Sequence, residues 1–316
     1  MSVYTSLQQA HIERLIERYP LAPLVSFSGI SAGIENTNYL VQTQQGDFIL
    51  TLYEHFSAKD VAPYLALLQQ LAHLEDYYPS PLVDSQKQLL QQVAHKPAAL
   101  FKCLSGRSPL QATPQQCQSI AFSLAKLHHN SAHLKFNKPN PKGIHEIQLL
   151  AEKLLPSLST QDADLLKDEL HYQLKQTHLP LKQGLIHADL FKDNTLFVEH
   201  KLTGLLDFYA ACIDYFLLDV AITLNDWCVT EQGIFDYHQQ ASFIHAYQRV
   251  HALNSQELAY LPLLLRRASL RFWVSRLNHK QLAKSGAMTQ EKDPEIFKYL
   301  LLQHRQFYSD KQAPLE

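Results

Sequence analysis

The 316-residue sequence holds only four cysteines, Cys103, Cys117, Cys212 and Cys228, with no CxxC pair and no Cys/His spacing of the kind that grips zinc. Long apolar runs are missing too: "LAYLPLLLRRASL" is broken by Pro262 and two arginines, short of a membrane-spanning helix. The opening "MSVYTSLQQAHIERL" lacks the basic region and apolar core of a secretion signal. These absences predict a cytoplasmic protein with reduced thiols. Blocks of single-sign charge are absent as well, because 28 Lys+Arg and 30 Asp+Glu are interspersed to a net charge of -2. A nucleic-acid track and an anionic membrane surface are therefore not expected, which leaves a small molecule as the partner. Oligomeric state is not legible. No internal repeat or low-complexity linker interrupts the chain.

What is present can bury a sizeable core: 46% of residues are hydrophobic, and the length suits two lobes. "SLQQAHIERLIERY" spaces Leu7, Ala10, Ile12, Leu15 and Ile16 as a helix that Pro20 stops. Strand-like segments follow at 24–30, 37–43 and 47–54, joined by "SAGIEN" and "QQG" as an antiparallel meander. "DVAPYLALLQQLAHL" reads as a helix packed on that sheet, and "QLLQQVA" and "PAALFKCL" as two more strands. Beyond them the periods become helical, starting where Thr113 caps, Pro114 takes the first helical position and Gln116 completes a capping box. The expected architecture is α+β: a sheet lobe over residues 1–103 and a mainly helical lobe over 104–316. The exceptions in the second lobe are "TLFVE" and "LTGLLDF", two short strands, and a long loop at 133–145.

Immediately before those strands stands "HADLFKDN", residues 187–194, between apolar runs. Phosphoryl transfer needs a proton acceptor for the attacking hydroxyl, oxygen ligands for magnesium and a loop over the phosphates, because positioning and charge neutralisation supply most of the catalysis. His187-x-Asp189-x4-Asn194 has the spacing of a kinase catalytic loop, with Asp189 as base and Asn194 as a magnesium ligand. The strand pair then returns the chain to Asp207, a second hard-oxygen ligand. His187 reads as a brace for the loop. Lys192 is placed to approach the terminal phosphate of ATP. The "GISAGIEN" loop and its exit, with Gly29, Gly33, Glu35, Asn36 and Thr37, sit where such a fold covers the nucleotide, and the "FKC" stretch with Lys102 sits where adenine would meet backbone.

"HADLFKDNTLF", "GLLDFYAAC", "DVAITLNDWC" and "RFWVSRL", with "GIENTNYLV" and "FILTLYE", together resemble the bacterial homoserine kinases that share the aminoglycoside phosphotransferase and choline kinase fold. The resemblance runs over nearly the whole chain. It implies a two-lobed, protein-kinase-like enzyme that uses ATP and Mg2+ to make O-phosphohomoserine for threonine synthesis, with Asp189, Asn194 and Asp207 in the roles given above. One departure stands out: "FILTL" puts Thr51 where protein kinases carry a phosphate-holding lysine, and the following helix lacks the partner acid. Lys59 and Lys192 are candidates to neutralise the phosphates in its place.

The segment "PLLLRRASLRFWVSRLNHK" carries Arg266, Arg267, Arg271 and Arg276 and no acid from 262 to 290. Arginine favours a carboxylate-bearing substrate, whereas an aminoglycoside site calls for carboxylates and a choline site for aromatic cages. Arg271 or Arg276 with Asp226 would hold the two charged ends of an amino acid, and Asp219 would tie the metal loop to the following helix. Trp227 and Trp273 read as core. Another small-molecule kinase, for methylthioribose, choline or an antibiotic, would share every catalytic residue. Thr51 keeps a nucleotide-binding module without catalysis open. A protein kinase is disfavoured by the absence of D-F-G and A-P-E, and a metal-dependent hydrolase by the absence of a histidine cluster.

Overall fold

The computed structural model describes residues 4–30, 36–284 and 292–310. The chain divides into two compact units, one of Met1–Ser108, Leu134–Phe136 and Thr195–Tyr209, the other of Pro109–His133, Asn137–Asn194 and Ala210–Glu316.

The first unit begins with α1 (Gln9–Ile16), which buries Ile12, Leu15 and Ile16, one stripe of a helix. β1 (Leu24–Ile30), β2 (Thr37–Thr43) and β3 (Gly46–Leu52) form the meander, with Tyr39 opposite Leu50 and Val41 opposite Phe48. The period of two sends Tyr39, Val41, Leu50 and Leu52 into one core with the α1 stripe and Leu100. Asn38 and Thr51, register partners, take the other face.

α2 (Ala58–Leu71) starts ahead of its apolar periodicity because Ser57 and Asp60 cap it reciprocally, and Pro63 lies within it. The expected packing of this helix on the sheet is only part of the picture. The core on the Tyr39 face is completed by α1, while Tyr64 of α2 meets the rings of Phe136 and Tyr209 at 5.7 and 5.9 Å. β4 (Gln91–Val93) and β5 (Lys96–Lys102) complete a five-stranded sheet of order β1-β2-β3-β5-β4.

The second unit opens with α3 (Pro114–Asn130), whose Thr113 side chain accepts from the Gln116 amide at 3.2 Å while the Gln116 side chain accepts from Thr113 N at 3.0 Å. α4 (Ile144–Leu154) and α5 (Thr160–Leu174) follow, then β6 (Gln183–Ile186). The chain next enters the hairpin of β7 (Thr195–Val198) and β8 (Lys201–Leu205), which groups with the first unit and not with residues 104–316. The physical reason is direct: Arg107 and Phe197 exchange backbone hydrogen bonds at 3.0 and 2.9 Å, and Leu205 N donates to Tyr77 O at 2.9 Å.

Returning to the second unit, β9 (Cys212–Tyr215) pairs antiparallel with β6. Sequence reading missed this ladder, because four-residue strands carry too few alternations to show a period. Gly184 in β6 is required by close approach: an added Cβ would sit 2.4 Å from the Phe216 ring and from the Ser131 hydroxyl, which itself accepts from Leu185 N at 2.6 Å. α6 (Phe216–Trp227) follows, buried on nearly every side, as its composition demands. α7 (Tyr237–Gln248), α8 (Ser255–Ala259), α9 (Leu261–Lys284) and α10 (Glu295–Asp310) complete the unit. Among the described residues, no helix is long and apolar enough to cross a membrane.

Candidate active site

The 187–194 loop leaves β6 and is fastened to α6. Asp219, in the first turn of α6, takes the amides of His187 through Oδ2 and Ala188 through Oδ1, both at 2.7 Å. Asp226, two turns on, accepts from the Lys192 amide through Oδ2 at 2.7 Å, and Trp227 Nε1 donates to the Leu190 carbonyl at 3.1 Å. One helix thus fixes the loop at four residues. Ala188 adopts φ +65°, a left-handed conformation that a β-carbon tolerates only when the surroundings hold it. His187 is fully buried, and its Nδ1 accepts from Asp189 N at 3.3 Å.

Asp219 is itself held. His128 Nε2 lies 3.1 Å from its Oδ2, and His128 Nδ1 lies 2.6 Å from the Tyr247 hydroxyl. With the imidazole proton on Nε2, His128 donates to the carboxylate and accepts from the tyrosine. Burial pushes the Asp219 carboxyl up, yet the hydrogen bonds from His128 and from the His187 amide hold it below the usual range. Neither His128 nor Tyr247 carried a signal in the sequence, since each is recruited from far along the chain.

Asp189 is partly buried. Desolvation raises its pKa from 3.8 to about 6, against the lowering effect of Arg271, Lys142 and Lys292. Lys142, in the loop before α4, was not singled out from the sequence. Asn194 Nδ2 donates to the Asp189 carbonyl at 2.8 Å and lies 3.3 Å from its Oδ2. This leaves the carboxamide Oδ1 of Asn194 as the oxygen to offer a cation.

The four arginines of α9 part company. Arg266 grips Glu169 of α5 with Nε and Nη2 at 3.1 and 2.6 Å, and Arg267 binds Gln173 Oε1 at 3.0 Å and the Gln176 carbonyl at 2.7 Å. Arg276 donates Nη1 to the Asp293 carbonyl at 2.8 Å and lies over Phe297 at 4.4 Å. Arg271 is 3% exposed, and its Nε and Nη1 find no hydrogen-bond partner among the described residues. Desolvation dominates its electrostatics, with Asp189 the foremost opposing charge. Burial lowers the Arg276 pKa, with Asp226 the foremost opposing charge, and burial raises the Asp226 carboxyl against the lowering effect of Lys192. Trp227 and Trp273 are buried.

In the first unit, Asp207 lies two residues past the end of β8 at φ +60°, not on the strand as its sequence suggested. It acts electrostatically on Tyr53 and Tyr209, whose hydroxyls are 2.7 Å apart. Thr51 gives its hydroxyl to Asn38 Oδ1 at 2.7 Å. The Thr37 hydroxyl donates to Glu54 at 2.6 Å and accepts from Tyr4 N at 2.9 Å. Asn36 is buried at the edge of the loop. Lys102 is exposed at the end of β5, its amide taken by Ser80 O at 3.1 Å, and the Cys103 amide goes to Asp47 O at 3.2 Å. Lys59 is exposed in the first turn of α2. Gly33 and Glu35 lie outside the described residues. Among the described residues, no group of three or more His, Cys, Asp or Glu could hold a metal ion by itself.

The chain belongs to the phosphotransferase enzyme family (APH), whose model matches residues 26–253 and so spans the 187–194 loop. Relatives share more than the family. A homoserine kinase of Methylobacillus flagellatus is 37% identical over 301 residues, covering 95% of this chain and 94% of its own. A homoserine kinase of Neisseria meningitidis serogroup B is 37% identical over 305 residues, covering 96% and 99%. Among solved structures, an amicoumacin kinase in complex with AMP-PNP, Ca2+ and Ami superposes with a TM-score of 0.71 at 16% identity, over 98% of this chain and 96% of that one. A microcompartment-associated aminopropanol kinase superposes at 0.61 and 17% identity, over 98% and 100%. These structural likenesses carry the two-lobed, kinase-like α+β fold.

Proposed function

We propose that this chain is an ATP-dependent homoserine kinase that transfers the γ-phosphoryl group of ATP to the side-chain hydroxyl of homoserine, giving O-phosphohomoserine and ADP, a step toward threonine. The observation that carries the chemistry is Asp189, a half-buried carboxylate on a loop fastened to α6, with its pKa raised to about 6. At neutral pH it is mostly ionised yet close enough to its pKa to take a proton, the condition for an effective base. As the homoserine oxygen forms its bond to the γ-phosphorus, the bond from phosphorus to the β,γ-bridging oxygen breaks. The hydroxyl proton passes to a carboxylate oxygen of Asp189.

The donor chemistry fits a small hard cation: Asn194 offers a carboxamide oxygen and Asp207 a carboxylate, and magnesium takes few protein ligands because it keeps waters and phosphate oxygens. When bound, Mg2+ would neutralise phosphate charge. Asn36, Thr37, Lys102 and Lys192, with Gly33 and Glu35, are the residues we assign to the nucleotide. Of these, Thr37 contributes through position, since its hydroxyl serves Glu54. Arg271 or Arg276, with Asp226, supplies the charged groups we assign to the ends of the amino acid.

The test is a coupled ADP-release assay with MgATP against homoserine, serine, threonine, choline, methylthioribose and kanamycin. Strong preference for homoserine is expected. Preference for another acceptor would overturn the substrate while keeping the phosphotransferase, and silence across the panel would favour a nucleotide-binding module.

A further inference from the structure

Resting on the homoserine kinase reading, we propose that Arg271 is the group that binds the acceptor's carboxylate, and that this one guanidinium sets the specificity of the site for hydroxy acids over plain alcohols.

Three observations converge on it. The first is burial without pairing: Arg271 is 3% exposed, and Nε and Nη1 have no hydrogen-bond partner among the described residues. A buried guanidinium loses several kcal/mol of hydration, so a fold keeps one unpaired only where an anion arrives to repay it. The second is contrast along α9. Arg266 and Arg267 are bound by Glu169, Gln173 and the Gln176 carbonyl, and Arg276 donates to the Asp293 carbonyl. Arg271 lies over the Phe272 ring at 4.9 Å much as Arg276 lies over Phe297 at 4.4 Å, so what sets Arg271 apart is the lack of an oxygen partner for Nε and Nη1 among the described residues. The third is place: Asp189, the proposed base, is the charge that most offsets the burial of Arg271. A homoserine molecule whose hydroxyl meets Asp189 carries its carboxylate only a few bonds away. A planar guanidinium matches a carboxylate in bidentate fashion.

An alternative role for Arg271, holding Asp189 in position, predicts something different. A positioning arginine would change kcat for every acceptor equally. An anchor changes the discrimination between acceptors that have the carboxylate and those that do not.

The experiment compares homoserine with 2-amino-1,4-butanediol, the same acceptor with its carboxylate reduced to an alcohol. Wild type is expected to prefer homoserine by at least about a hundredfold in kcat/KM, because a site with a buried group left unpaired rejects the analogue strongly. In Arg271→Met that preference collapses to within about threefold, by loss of homoserine turnover alone. In thermal denaturation without nucleotide, homoserine raises the melting temperature of wild type and not of the variant. The methionine replaces an unpaired buried charge with an apolar chain, so the variant is expected to fold at least as stably. The inference is overturned if wild type uses both acceptors alike, a measurement that needs no variant. It is also overturned if Arg271→Met lowers kcat for both acceptors equally, or if Arg276→Gln and not Arg271→Met abolishes discrimination. If wild type phosphorylates neither acceptor, the kinase reading falls, and absence of a thermal shift with homoserine then overturns the anchor as well.

Discussion

The 187–194 loop and the β2–β3 pair meet their polar groups in opposite ways. In the loop, charge is concentrated and then held: two carboxylates of α6, Asp219 and Asp226, accept three backbone amides, and Asp189 is left half-buried with its pKa near 6. On the strands, the position expected to carry a lysine holds Thr51, and it is answered by the neutral Asn38 at 2.7 Å. The difference teaches where this chain spends electrostatic energy. Preorganised charge surrounds the proposed base, and at Thr51 the sheet contributes a neutral hydrogen bond.

The comparison breaks most severely at its reactive end. Asp189→Asn is expected to lower kcat by about a thousandfold while nucleotide affinity stays within about twofold, read by ADP release and by titration with an ATP analogue. In wild type, activity should fall about tenfold per pH unit below pH 6 and level off above it, since the ionised carboxylate is the working form. The stability sign runs the other way. The folded pKa of Asp189 lies above its unfolded value, so the native state binds the proton more readily; its contribution to stability is full below pH 3.8, is lost as pH rises to about 6, and the penalty is complete and constant above that. Asp189→Asn should therefore be more stable than wild type at pH 7.5, by on the order of 2 kcal/mol in urea denaturation.

Asp219→Ala tests the clamp. It strips the His187 and Ala188 amides and His128 of their shared acceptor, and a loss of about 3 kcal/mol is expected in the same denaturation assay. The lowered pKa of Asp219 gives stability that is present above its unfolded value and lost as pH falls through the folded one. Thr51→Val sharpens the other side: about 1 kcal/mol of stability and a KM for MgATP within about twofold of wild type. A large rise in KM would show that the strand hydroxyl serves phosphate after all.

Much of this was legible in sequence where the physics is local. β1 and β2 were readable to the residue because their polar loops end them, and the capping box at Thr113 announced α3. The spacing of Asp189 and Asn194 pointed to phosphoryl transfer before any geometry. What was hidden is what depends on distant chain. His128 and Tyr247 stand behind Asp219 from 91 residues before it and from another helix, through hydrogen bonds that no periodicity records. Of the four arginines of α9 the sequence singled out Arg271 and Arg276 without choosing between them, because nothing in their own segment says that the Asp293 carbonyl will take Arg276. The β6–β9 ladder was too short to read. Asp207 seemed to end a strand, and its left-handed conformation belongs to the turn beyond.

The division of labour between α6 and α9 also has an evolutionary consequence. The loop to which we assign the chemistry is held by side chains of α6, whereas Arg271, whose Nε and Nη1 have no hydrogen-bond partner among the described residues, belongs to α9. A lineage could therefore exchange acceptors by altering α9 and leave the transfer machinery untouched, so that new substrates arise by changing a tenant and not the building.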